Sequence, residues 1–435
     1  MKSRIILAAI CTFFLTTSIS FGYNLTFIPR LSVQGEYSDN ILLTENKDLK
    51  EDDFITTVTP GFNAELIGKN GDAKISYDPS YAFYNEFDEF NGWRHQARFS
   101  GMYMIAKNTH FNIEDNFLYT EDPLINDNIA KIRTEDPTSP IDPTIRKTRE
   151  VYTTNYANAG LIHQFGEYHA FRLGYSHYLL DYNDPGSEDK QSHNPSAGLT
   201  YWFGPKWGFD VTGSYTRGEF EVSDSLNLYQ GSVSLLKRFG KHFIGNIRYS
   251  QMVVKYEGET EDDTTYSPSI GFNYDIEKDI SLIADFGYFY NDYEFRESQS
   301  NFNGNLRLIK LFEHGQLNLA ALGGYDYSFF DYENLGFSVY YETSVSFSHQ
   351  LAKHVYGNIF GSYRNTEYTD SSDRKDKSPA VGLGLDWQAL EWMSVRLDYR
   401  FRSVDSTIDT EDYDENRVSV SIKVIPTVPF HTKRY

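Results

Sequence analysis

The sequence predicts an all-β chain: a single transmembrane antiparallel up-and-down β-barrel of about twenty strands, with eighteen as the lower count. Three observations lead there. Long stretches alternate apolar and polar residues with period two. Short turn signals alternate strictly with longer acidic connections. No run after residue 21 is long and apolar enough for a membrane helix, which needs about 20 apolar residues.

The N-terminus reads as an export signal. Lys2 and Arg4 precede the apolar run IILAAICTFFLTT, then the small residues Ser18, Ser20 and Gly22. Residues 1–22 are therefore expected as a signal peptide and 23–435 as the barrel, with Tyr23 first in the mature chain. The run is short for an uncleaved anchor. Cys11, the one cysteine, lies inside it with Ile10 before and Phe13 after, which does not suit lipidation. The expected mature chain thus has no disulfide, thiol nucleophile or thiolate metal site. Losing Lys2 and Arg4 takes the net charge from −21 by two more, to −23. So acidic a chain is a poor partner for nucleic acid.

Composition points the same way. Mean hydropathy of −0.52 would argue against a membrane role, but only alternate residues of a barrel strand face lipid. The aromatic share is 16%, with 34 Tyr and 32 Phe, and clusters such as FGYFYNDY (286–293) and YDYSFFDY (325–332) read as interfacial girdles.

The strands come as hairpins. Turn signals recur at 68–72 (GKNGD), 106–108 (AKN), 165–168 (FGEY), 203–206 (FGPK), 239–242 (FGKH), 277–279 (EKD), 312–315 (FEHG), 351–354 (LAKH) and 389–392 (ALEW). Between them lie longer polar connections such as NILLTENKDLKEDD, DYNDPGSEDK and DTEDYDEN. Short periplasmic turns and longer extracellular loops are the habit of outer-membrane barrels. The first strand is expected over 25–38 and the last over 416–430. A Pro-then-Gly motif recurs in VTPGF (58–62), NPSAGL (194–199), SPSIGF (267–272) and SPAVGL (378–383). Proline cannot donate to a ladder, so each is expected at a rim or bulge where a strand enters from the outside.

Residues 27–66, FIPRLSVQGEYSDNILLTENKDLKEDDFITTVTPGFNAEL, resemble the N-terminal signature of a family of outer-membrane β-barrel porins associated with exopolysaccharide gene clusters. Pro29-Arg30-Leu31, Tyr37 with Asp39-Asn40, Asp53-Phe54-Ile55 and Thr59-Pro60-Gly61 carry the resemblance. It implies a barrel in the outer membrane of a Gram-negative bacterium. It implies polysaccharide export by association only, and brings no catalytic motif.

Alternation assigns the faces. In EWMSVRLDYRFRSVD (391–405), Val395, Leu397, Tyr399 and Phe401 take one face and Arg396, Asp398, Arg400 and Arg402 the other. Arginine facing mid-bilayer lipid costs about 2–4 kcal/mol, so the charged face looks into a wet lumen. With Arg30, Arg417 and Lys423, brought near by closure, Arg396, Arg400 and Arg402 form a candidate basic wall suited to an anionic polymer. Other inward charges are Lys74, Asp78, Arg94, Arg98, Arg248, Arg307, Arg364, Asp386 and Asp398. The competing reading is that these arginines pair across strands with inward acids. Asp115 is an exception on an apparently outward face, for which a bulge, a rim position or a slipped register would account. The acidic loops read as a solvated surface, with divalent-cation binding as the sharper alternative. The proline-rich stretch 121–150 either folds into the lumen or extends over the surface.

No metal, cofactor or catalytic site is expected. His163, His169, His242, His314, His349 and His354 fall at or near short turns and read as interfacial polar residues, and no hydrolase or metalloprotease motif occurs. The expected role is a channel, as a conduit for an exported polysaccharide, a small-solute diffusion porin, or a structural barrel with a plugged lumen. Expected partners are outer-membrane lipid and lipopolysaccharide, periplasmic chaperones and barrel-assembly machinery, and polysaccharide-export proteins.

Overall fold

The structure is a computed structural model that describes residues 23–45, 49–123, 149–183, 187–330, 334–369 and 373–434. The expected signal peptide, 1–22, and most of the 121–150 stretch, 124–148, lie outside the described residues, as does Tyr435.

Alternating sequence becomes strand throughout. In chain order these are β1 (Tyr23–Ser38), β2 (Asp53–Gly68), β3 (Gly71–Tyr84), β4 (Gly92–Ala106), β5 (Thr109–Thr120), β6 (Tyr152–Gln164), β7 (Ala170–Tyr182), β8 (Lys190–Trp202), β9 (Trp207–Phe220), β10 (Leu226–Arg238), β11 (Phe243–Tyr256), β12 (Asp263–Glu277), β13 (Ile280–Tyr293), β14 (Gln299–Phe312), β15 (Gly315–Tyr327), β16 (Phe337–Ala352), β17 (Val355–Tyr368), β18 (Lys375–Leu390), β19 (Met393–Ser406), β20 (Tyr413–Val424) and β21 (Phe430–Arg434). Sequence neighbours pair antiparallel, and β20 pairs back onto β1, so twenty strands close into a barrel. All nine expected short turns fall at one end, the periplasmic end by the usual rule.

The last strand departs from expectation. β20 stops at Val424, and β21 resumes on Tyr23–Phe27 of β1. Ile425–Pro426–Thr427–Val428–Pro429 bulges between them, because two prolines supply no N–H to the ladder.

The repeated prolines also correct expectation. Pro60, Pro195, Pro268 and Pro379 lie inside β2, β8, β12 and β18, not at their rims. Each sits at a gap in one ladder. The pairing of β12 with β13 jumps from Tyr266↔Tyr290 to Ser269↔Gly287, and the ladders of β2 with β3, β8 with β9 and β18 with β19 skip likewise. The opposite ladder runs through, as at Tyr249↔Pro268, so one lost donor is absorbed without ending the strand.

Faces follow the alternation. Leu397, Val418, Val420 and Ile422 are exposed on the outside, as a lipid-facing band must be. Asp115 is truly outward. Its ladders run unbroken through Phe99↔Asp115 and Asp115↔Ala157, so neither bulge nor slipped register accounts for it.

Candidate transport lumen

The lumen divides into two halves. The outer half, next to the long loops, is packed. Nearly all the buried side chains lie there, because chain segments turn inward and cover them.

The first inward segment follows β5. Glu121 and Asp122 are buried and reach across neighbouring strands. Arg94 donates from Nε to Glu121 Oε1 at 2.9 Å, and Tyr84 donates its hydroxyl to the same carboxylate at 2.8 Å. Asp122 meets Arg417 of β20 at 3.2 Å. Arg417 also donates to Glu415 at 2.6 Å and to Glu36 at 3.3 Å. On the returning side, buried Arg149 donates to the Ile41 carbonyl and to the Tyr84 hydroxyl, both at 2.8 Å. Both described roots of the 121–150 stretch are thus anchored inside the barrel. Burial pulls the Asp122 carboxyl up, but the guanidiniums of Arg417, Arg149 and Arg94 outweigh it and hold it below the usual carboxylate range.

The second inward segment leaves β15. The ladder of β14 with β15 ends at Gly304↔Gly323, while that of β15 with β16 continues to Tyr327↔Phe337. Gly324, at φ 154°, makes the departure, a backbone angle other residues rarely take. Tyr327 then bonds Asp263, and Phe329 is buried against Leu226 and Val254. Phe330 stacks on Phe220, centroids 5.5 Å apart, and meets Tyr178 edge-on at 6.2 Å. This corrects the reading of 325–332 as girdle: Tyr325, Tyr327, Phe329 and Phe330 pack inside the barrel. In 286–293, Phe286, Tyr288 and Tyr290 are exposed, whereas Phe289 is buried inside with Tyr325.

The periplasmic half is open. A cavity of about 900 Å³ lies along the inner face of β5 to β11. Its wall is mostly hydroxyl, amide and glycine, including Asn112, Asn194, Ser196, Thr212, Ser232 and Ser250. Arg172 projects among them, bonded to Asp210 and Thr200 at 2.7 Å each. Gly198 leaves the room: a Cβ there would lie 3.1 Å from the Arg172 guanidinium.

The candidate basic wall is mixed. Arg30 is held by Asp78 and Asn63. Arg396 binds Asp398 at 2.6 Å and stands 3.7 Å from Asp386. Arg417 belongs to the buried network above, and Arg402 lies opposite Glu415. Arg400 is exposed opposite Arg417 and has no ion pair among the described residues. Lys423 lies opposite Ser32 and Ser394, close to the Arg30–Asp78 pair, without an ion pair of its own among the described residues. Arg98 neighbours the same pair. Of the other inward charges, Lys74 pairs with Glu65, Arg94 with Glu121, and Arg248 donates to Ser234. Arg364 lies over the Tyr340 ring between Glu342 and Asp326. Arg307 pairs in register with Ala320. Sequence reasoning did not single out Tyr84, Glu121, Asp122, Arg149 and Glu415. An acidic pair directly after a strand whose neighbour carries an inward Arg was the available signal.

Closed wall, wet lumen and apolar outer band define a porin-like outer-membrane β-barrel. Comparison with known proteins agrees. A family described as "Putative beta-barrel porin 2" matches residues 330–425. The chain resembles the FrpB iron transporter from Neisseria meningitidis at 10% identity, covering 92% of this chain and 82% of that one with a TM-score of 0.54. OccAB4 from Acinetobacter baumannii (11% identity, 92% and 98% covered, TM-score 0.42) and a BenF-like porin from Pseudomonas fluorescens Pf-5 (9%, 94% and 99%, TM-score 0.41) are looser matches. At 10% identity the likeness to FrpB shows the fold alone. No curated protein matches.

Proposed function

We propose that this barrel is a constricted outer-membrane channel for hydroxyl-rich solutes, with an exported anionic polysaccharide as the leading substrate class. The observation that carries the reading is the periplasmic half of the lumen. Its hydroxyl and amide lining offers donors and acceptors to sugar hydroxyls, and elsewhere on the inner wall Arg400, Lys423 and Arg98 add positive charge with no ion pair among the described residues. Export of a polymer requires the two inward segments of the outer half to move aside. That requirement favours a second reading, a diffusion porin for small solutes.

Single-channel conductance in a planar bilayer, with and without an oligouronate, separates them. Conductance that the oligouronate blocks supports the polysaccharide channel. Open conductance without block supports the diffusion porin. Folded protein without conductance overturns both in favour of a plugged scaffold.

A further inference from the structure

The lipid-facing band is apolar over most strands, and its main exception lies over β5 to β9. There one hydrogen-bonded row carries Asp115, Ala157, His177, His193 and, nearer the loop end and paired with Glu257, Arg217, all pointing outward. Asp115 stands between Ile113 and Phe117, the middle of its outward strip, so it cannot be a rim residue. Asn155 donates to one of its oxygens at 3.2 Å, and its other oxygen has no partner among the described residues. The His177 and His193 rings lie 4.8 Å apart, and the Tyr175 hydroxyl reaches His193 Nδ1 at 2.8 Å. Between acid and imidazoles, β6 presents only Asn155, Ala157 and Ala159, so the wall is flat there. A carboxylate left against lipid is costly, and ionisable groups at that depth find partners.

We infer that this face docks a second copy of the chain, wall against wall in the membrane plane. The patch is self-complementary. Asp115 and His177 flank Ala157 on one row, so a two-fold axis along the membrane normal near Ala157 brings each Asp115 toward the other copy's His177. Strand tilt offsets the two by about 6 Å, within side-chain reach. The small residues let the walls approach, and polar side chains then bond across the contact.

Cysteine cross-linking in intact outer membranes tests this. The one native cysteine is Cys11, in the expected signal peptide. Oxidised Ala157→Cys should give a species of twice the monomer mass. Val345→Cys, exposed on β16 ten strands away, should not. Asp115→Leu should cut the Ala157→Cys yield at least fivefold. It removes a charge from the lipid face, so barrel assembly, read by heat-modifiable migration, should persist. Exchanging the pair, Asp115→His with His177→Asp, should restore the yield. No cross-link, equal cross-linking from both positions, or an adduct of another mass overturns the second copy. Failure of the exchange overturns the Asp115–His177 contact.

Discussion

The two halves of the lumen are built from the same strands with the same alternation, yet they differ in what fills them. In the outer half, inward side chains are buried and ion-paired, as in the Arg417, Glu415, Glu36 and Asp122 cluster. In the periplasmic half, the serines and amides of the cavity wall line open space. The difference is chain that returns to the lumen. The long connections have enough residues to fold inward, and the short turns do not. Charge alone is therefore a poor guide to selectivity in such a barrel. The same arginine is a structural tie where an acid descends on it and a solute contact where none does.

The contrast can be tested from its strongest point downward. Arg417→Ala should have the largest effect, because it strands buried acids that were paired. A loss of about 3–5 kcal/mol is expected in denaturant unfolding from lipid vesicles. Conductance should rise as the root of the 121–150 stretch loses its hold on β20. Phe329→Ala should follow, costing about 3 kcal/mol by emptying its seat on Leu226 and Val254. A rise in conductance with Phe329→Ala but not with Arg417→Ala would place the constriction in the β15–β16 connection alone.

Acid should act more weakly and only at low pH. The folded carboxyl of Asp122 titrates below its unfolded value, so its contribution is complete above about pH 4 and fades as pH falls further. Conductance traces should thus match between pH 8 and 5 and open below 4. Opening near pH 6 would mean that another group holds the segment. The smallest structural effect belongs to Arg400→Glu with Lys423→Glu. Stability should stay within about 0.5 kcal/mol, since neither residue has an ion pair among the described residues. Reversal-potential measurements should nevertheless shift toward cation selectivity, and oligouronate block should weaken.

Much of this was legible from residues alone. Period-two alternation is local, so strand faces, the nine short turns and the inward arginines could be read directly. The unbroken ladders through Asp115 show that the outward acid was a true exception to the pattern. Proline placement was less legible, because a missing donor points to a rim or a bulge, whereas at Pro268 only one of two ladders yields and the strand runs on in register.

Sequence by itself determined the barrel, its strand count to within the expected range, and which charges face water. Tertiary structure alone decided which of those charges stay available. Pairing of Asp122 with Arg417 joins residues 295 apart, and burial of Phe329 depends on strands met far earlier in the chain. Contacts of that range arise only when the sheet closes and bring no periodicity with them. A loop that folds inward reads, residue by residue, like one that does not.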